Sequence, residues 1–256
     1  MFSFLRQPKW IAFTLLVPVG VALCLLAANW QYSRHVHRSA ADALIRANSA
    51  TAPAPLSELT SADAPLPPDR RYRIATATGT YVPDSAALVR RRSLGGSAGY
   101  WSVASLRTDA GPIVEVLRGW VPQSADARQS PPVPAPPAGT VTVTGWLQES
   151  ERATQPTPAD LPAGQVTALD PTALNPGTAV YPAYLVAMSS TPPDSGVKAV
   201  PVPELGLGPH LAYAWQWLAF ALMLPIGWVI LVRREVRTGR EESPGSRAAE
   251  EHAGGA

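Results

Sequence analysis

Two stretches without a single charge, Trp10–Ala28 and Leu211–Val232, lie at opposite ends of this 256-residue chain, with a proline-rich polar body between them. As helices rising 1.5 Å per residue, each reaches about 30 Å, the thickness of a bilayer's hydrocarbon core. A chain patterned this way is expected to be a membrane protein whose body lies on one side, tethered at both ends. That arrangement excludes a cytosolic enzyme. Arg233, Arg234, Arg237 and Arg240 follow the second stretch, whereas the nearest basic residue before it is Lys198. Basic flanks stay cytoplasmic, which places both termini inside and the body outside.

The first stretch alone leaves the orientation open, with Arg6 and Lys9 before it and Arg34 and Arg38 after it. Trp10 and Trp30 bracket it about 30 Å apart, a spacing suited to anchoring at two membrane surfaces. Pro18 and Pro225 fall inside the stretches, which membrane helices tolerate with a kink. The rival reading of the first stretch is a cleaved secretory signal. Its apolar core is longer than the usual signal core, and Leu26 stands where a small residue is wanted before a cleavage site. Cys24 does not read as a lipidation site, because Leu23 precedes it and apolar residues continue beyond. The predicted segments are a cytoplasmic N-terminus (1–9), a first membrane helix (10–29), an extracytoplasmic β-rich domain (30–209), a second membrane helix (210–232) and a cytoplasmic, disordered tail (233–256).

The body is long enough for one domain with a real core. A net charge of +2 gives no nucleic-acid signature, and the one cysteine, Cys24, lies within a span. The exported domain therefore has neither a disulfide nor a thiolate metal site. Prolines cluster at 53–68, 131–137, 156–162 and 192–203, marking loops. Between them run short segments rich in Val, Thr and aromatic residues: 71–82, 87–92, 100–107, 112–121, 140–148 and 180–189. Thr108-Asp109-Ala110-Gly111 reads as a hairpin turn. Asp170-Pro171 reads as an N-cap followed by Pro at N1, opening a short helix through Leu174. Residues 32–48 could prolong the first span as a helix. The fold class is thus two transmembrane helices flanking a mainly antiparallel β (α+β) extracytoplasmic domain.

Four blocks stand in order along the chain: ANWQYSR at the exit of the first span, the run Gly79–Leu106, GPIVEVLRGWVP, and GPHLAYAWQWLAFAL at the entry to the second span. Together they resemble the surfeit locus protein 1 family, membrane proteins that assist assembly of haem-a-containing cytochrome c oxidase. ANWQYSR (Ala28–Arg34) is similar to the family's Gly-x-Trp-Gln-x-x-Arg at the exit of the first span. The run Gly79–Leu106 resembles its first strands, and GPIVEVLRGWVP (Gly111–Pro122) its strand ending in Arg-Gly-Trp-Val-Pro. GPHLAYAWQWLAFAL (Gly208–Leu222) resembles its Asn-His-Leu-x-Tyr-Ala-x-Gln-Trp-Phe entry to the second span. The chain departs from the pattern at Ala28 (Gly in the family) and Pro209 (Asn). The Lys found beyond the first Arg has no counterpart, Arg38 being the nearest basic residue. The resemblance implies a bacterial plasma-membrane location, haem a as a transient cofactor, and the catalytic subunit of the oxidase as partner. Haem a synthase is a further partner it allows.

His210, at the outer mouth of the second span, is the leading candidate site residue. Its imidazole could ligate haem iron, with Tyr213 one turn on and Trp217 two turns on packing against a flat macrocycle. The resemblance implies the same role for His210, and Tyr213 and Gln216 match its neighbours. The alternative is an interfacial His–Tyr–Trp belt that merely anchors the helix. Gln216, inside the span, needs a partner, either a cofactor or the first helix through one interhelical hydrogen bond. Trp30 and Arg34 sit where the first helix leaves the membrane. Arg34 could pair with a haem propionate, or snorkel beside an anchoring Trp. His35 and His37 have no third ligand type nearby, and Arg90-Arg91-Arg92 reads as a solvated strand edge. Arg118-Gly119-Trp120 reads structurally: Gly119 admits a bulge or close backbone approach, and Trp120 caps the sheet.

No catalytic constellation is expected, since the exported body has no Cys nucleophile and its histidines stand at the two membrane borders. The expected function is a non-enzymatic assembly factor that holds or delivers haem a. Two alternatives stay open: a cofactor-free docking protein that stabilises an oxidase intermediate, and an extracytoplasmic sensor or binding module.

Overall fold

The computed structural model describes residues 6–124, 129–153, 158, 161–204 and 206–241. In chain order the elements are α1 (Pro8–Ser49), β1 (Ala54–Pro55), α2 (Leu56–Leu59), a 3-10 turn (Pro68–Arg70), β2 (Ile74–Tyr81), β3 (Ala87–Leu94), β4 (Ser97–Thr108), β5 (Ile113–Pro122), β6 (Thr140–Glu149), β7 (Gln165–Val166), α3 (Pro171–Leu174), β8 (Val180–Thr191) and α4 (His210–Glu241). They form two compact units, one comprising residues 1–40 with 205–256 and the other residues 41–204.

In the helical unit, α1 opens with Pro8 at its first helical position, where the missing N–H is no loss, and the Gln7 carbonyl accepts the first bonds from Trp10 and Ile11. α1 and α4 are both long and apolar enough to cross a membrane. The large side chains point outward, with Leu16 64% and Leu222 63% exposed, a surface that only an apolar solvent stabilises. Half-buried and buried positions recur along α1 at 10, 14, 17, 21, 24, 28 and 31, with 20 and 27 beside them, and along α4 at 210, 214, 217, 221, 225 and 228, with 227 beside them. This alternation of three- and four-residue steps forms a seam. Thr14 meets Trp228, Gly20 meets Leu224 and Gln31 meets His210, so the helices run antiparallel. The buried residues at the seam are small: Cys24 and Ala28 on α1, Ala214 and Ala221 on α4. Small residues let membrane helices approach where no hydrophobic force drives them together. Helix α1 continues well past residue 29, as the 32–48 pattern suggests, and ends where the Thr51 hydroxyl donates to the Ala47 carbonyl at 2.8 Å. Helix α4 continues past Val232 to Glu241, so residues 233–241 are helical where composition suggested disorder. Arg and Glu are good helix formers and extend a helix already nucleated. The tail beyond Glu241 lies outside the described residues.

In the second unit the strand order is β1-β2-β6-β8-β5-β4-β3-β7, and β2 also pairs with β4. That extra pairing closes β2-β6-β8-β5-β4 into a five-stranded barrel. The six runs read from sequence are all strands. β1 and β7, two residues each, carry no pattern to read. Most pairings are antiparallel, but β5–β8, β1–β2 and β3–β7 are parallel. β5 shows the consequence: every residue from Ile113 to Val121 is buried, as expected for a strand covered on both faces. Alternate residues such as Ala75, Ala77, Val141, Val143 and Leu185 fill the barrel with the α2 leucines Leu56 and Leu59. Closure occurs at Gly79, opposite Thr108. A Cβ there would stand 2.0 Å from the Arg107 carbonyl oxygen, so only glycine admits the approach. The 108–111 turn forms as expected, with Gly111 N–H donating to the Thr108 carbonyl at 2.9 Å. So does the α3 cap, where the Asp170 carboxylate accepts from the Thr172 and Ala173 amides.

The Arg118-Gly119-Trp120 block is a bulge. Ser102 opposes Gly119 and Val103 opposes Leu117, which leaves Arg118 as the extra residue. Its guanidinium, fully buried, makes a two-pronged pair with Asp194 (2.6 Å each) and donates to the Pro134 and Ala135 carbonyls at 2.8 and 3.3 Å. Two proline-rich loops are thereby pinned to the barrel. Gly119 takes the close approach, with the Lys198 carbonyl oxygen 2.6 Å from where a Cβ would sit. Trp120 is buried, and its indole N–H donates to the Arg92 carbonyl at 3.0 Å. Arg92 itself pairs with Glu151 and lies 4.0 Å over the Trp101 ring.

Candidate functional site at the mouth of the helix pair

The chain turns into α4 at Gly208, whose positive φ of 63° suits glycine. The Pro209 carbonyl then accepts the first helical bond, from the Tyr213 amide at 3.0 Å. This places His210 at the first helical position, on the seam with α1. Its Nδ1 lies 2.9 Å from Gln31 Oε1, and its Nε2 lies 3.4 Å from Arg38 Nη1. The two contacts agree on one tautomer. The amide oxygen only accepts, so Nδ1 carries the hydrogen. The guanidinium only donates, so Nε2 presents a lone pair.

The remaining expected residues surround this centre without bonding to it. Arg34 is exposed and lies 5.8 Å from the Trp30 ring centroid, a cation–π pair one helical turn apart. Trp30 is 57% and Tyr213 46% exposed. Trp217 is half-buried, and its ring meets Phe220 edge-on at 5.7 Å. Gln216 is exposed and, among the described residues, has no hydrogen-bond partner, so the interhelical bond expected for it is not made. The interhelical bonds are made instead by Gln31 with His210 and by Trp228 with Thr14, the latter at 3.1 Å.

Sequence reading placed Gln31 and Arg38 near the membrane exit without assigning either to His210. A signal was there: the two are seven residues apart, two turns on one face. His35 is half-buried with an unpartnered Nδ1, and His37 is exposed, so this pair is split between faces as helical spacing demands. Among the described residues no group of three or more His, Cys, Asp or Glu could hold a metal ion. Neither Arg34 nor Arg38 has a carboxylate partner among them.

A second polar cluster went unread. Glu115 is fully buried in β5, where its Oε1 accepts from the Ser105 hydroxyl and, at 2.7 Å, from the Asn175 amide. Its Oε2 has no partner. Burial pushes this carboxyl above its ordinary range, against the opposing effect of the two hydrogen bonds. Nearby in the barrel, burial first and the Asp194 charge second push the Tyr81 hydroxyl up.

The model of the SURF1 family matches residues 19–222, from within α1 to within α4. The chain is also 34% identical over 255 residues to an uncharacterized SURF1-like protein of Mycobacterium bovis, with 95% of this chain and 91% of that one aligned. The same figures hold for an uncharacterized SURF1-like protein of Mycobacterium tuberculosis. The family match takes in most of α1, the barrel, the His210 mouth and the start of α4. The chain belongs to the SURF1 family.

Proposed function

We propose that this chain is an assembly factor for haem-a-containing cytochrome c oxidase, anchored in the bacterial plasma membrane, which holds haem a at the helix mouth and passes it to the catalytic subunit. It does so without catalysing a reaction. Both termini are cytoplasmic and the barrel is outside, a reading supported by the arginines after α4. Haem a synthase is the natural donor of the cargo.

The observation that carries this reading is the pair of contacts on His210. An imidazole whose Nδ1–H is held by an amide oxygen offers a lone pair on Nε2, the arrangement that orients a histidine toward a metal. Arg34 and Arg38, free of carboxylates among the described residues, suit the two propionates of a haem through charge-assisted bonds. Tyr213 and Trp30 supply exposed aromatic surface beside them. A single axial imidazole at an open mouth also suits a carrier, which must release what it holds.

One observation favours a second reading. Arg38 already faces Nε2, so the mouth is satisfied without a cofactor, as a docking protein that binds no haem would be. The two readings separate in vivo. Membranes from a strain lacking this protein and complemented with His210→Ala should show a reduced haem a band if the imidazole holds cargo. A band restored to the wild-type level would favour cofactor-free docking.

A further inference from the structure

An apolar groove of about 570 Å³ runs between α1 and α4, lined among others by Leu16, Gly20 and Cys24 on one helix and Phe220, Met223 and Gly227 on the other. It runs along α4 from Phe220 to Leu231, eleven residue steps or about 16 Å of helix. Helical spacing connects it with the mouth. On α1 the positions 16, 20, 24, 27, 31, 34 and 38 step along one flank. On α4 the positions 213, 216, 220, 223 and 227 do the same. Gln31, Arg34 and Arg38, and on the other helix Tyr213 and Gln216, therefore stand on the side of the pair that opens into the groove. One flank thus carries an imidazole and two cations at its outer end, an unpartnered amide next, and an apolar trough beyond. That gradation describes a ligand with a charged, metal-bearing head and a long apolar tail.

We propose that the groove seats the isoprenoid chain of the haem held at His210, so that the site selects tailed haems. The inference rests on the haem reading above and adds a determinant within this chain. Lipid acyl chains are as apolar as an isoprenoid, so the selectivity comes from shape and packing rather than from escape from water. Gly227 offers a clean probe. Gly227 lines the groove, and a Cβ built there meets nothing within 4 Å, so a side chain added at this position starts from open space.

The test uses the full-length protein in detergent, titrated with haem o and haem b and followed by the Soret band. These two differ by the isoprenoid chain and not by a formyl group. Haem o is expected to bind about tenfold tighter than haem b, a difference of about 1.4 kcal/mol. Gly227→Leu should lower haem o affinity to the haem b level and leave haem b unchanged. Leu16→Trp, which fills the groove from the other helix, should do the same. Equal affinities of the wild-type protein for the two haems would overturn the tail site while leaving the haem reading in place. So would a preference that survives both substitutions. Binding of neither haem would overturn both.

Discussion

The barrel and the helix mouth treat polar side chains in opposite ways. In the barrel, Arg118 is fully buried and its guanidinium is matched by a carboxylate and two backbone carbonyls. At the mouth, Arg34, Tyr213 and Gln216 are exposed, and none of their side chains makes a hydrogen bond to another described residue. A buried charge without partners would destabilise the fold, so the barrel's arrangement is one that stability enforces. Polar groups left open at the end of an apolar helix pair add little to the fold, and they are the side chains left available to a ligand or to the membrane surface. The contrast separates residues that keep the fold from residues that the proposed function assigns to the site.

That separation breaks most visibly if Arg118 is removed. Arg118→Ala strands Asp194 and frees two loop carbonyls, and should lower stability by about 3–5 kcal/mol in urea unfolding of the full-length protein. Arg118→Lys should recover little, because an ammonium cannot make the two-pronged contact. A wild-type unfolding midpoint for Arg118→Ala would place the barrel's stability elsewhere.

Gly79→Ala comes next. Its Cβ collides with backbone, not with a movable side chain, so β2 and β4 must separate, at a cost of roughly 1–3 kcal/mol. The expected signature is faster amide exchange at Gly79–Tyr81 and Leu106–Thr108, the residues that close the barrel. Unchanged exchange there would mean that the closure contributes nothing.

Glu115 sharpens the comparison, being among the described residues the barrel's one buried carboxylate with an unpartnered oxygen. Its carboxyl is raised above the ordinary value of 4.5 on folding, so the folded state binds the extra proton. Stability from this residue is therefore full below that value and declines as pH rises through the folded-state value. Glu115→Gln keeps an oxygen for Ser105 and Asn175 and removes the charge. It should flatten the decline and leave the protein at least as stable at neutral pH. A pH profile identical to that of the wild type would show that Glu115 does not titrate on folding.

The smallest effect is expected at Tyr213. Tyr213→Phe keeps the ring and loses only the hydroxyl, so bound-haem spectra should shift by less than they do for any change at His210.

Much of this contrast was legible before the fold was known. Charge-free runs of sufficient length revealed α1 and α4, and alternation revealed six strands. Asp170-Pro171 announced its helix. Alternation tells which face a side chain takes and not which strand lies beside it, so neither the parallel β5–β8 pair nor the closure at Gly79 could be read. Glu115 hid for the same reason: inside GPIVEVLRGWVP it looks like the polar member of an alternating strand, and only a strand buried on both faces makes it internal. His210 was visible as a candidate, but its pairing with Gln31 required knowing that the two helices meet in antiparallel register.

The most direct test of the central claim is the visible spectrum of the full-length protein purified from a haem-a-producing host, wild type beside His210→Ala. A Soret band in the wild type that is lost or shifted in the variant is predicted, with equal yields and an unchanged urea midpoint for the barrel, because His210 belongs to the helical unit and bonds only within it. A wild-type protein without haem, or a variant that retains it unchanged, would contradict the account.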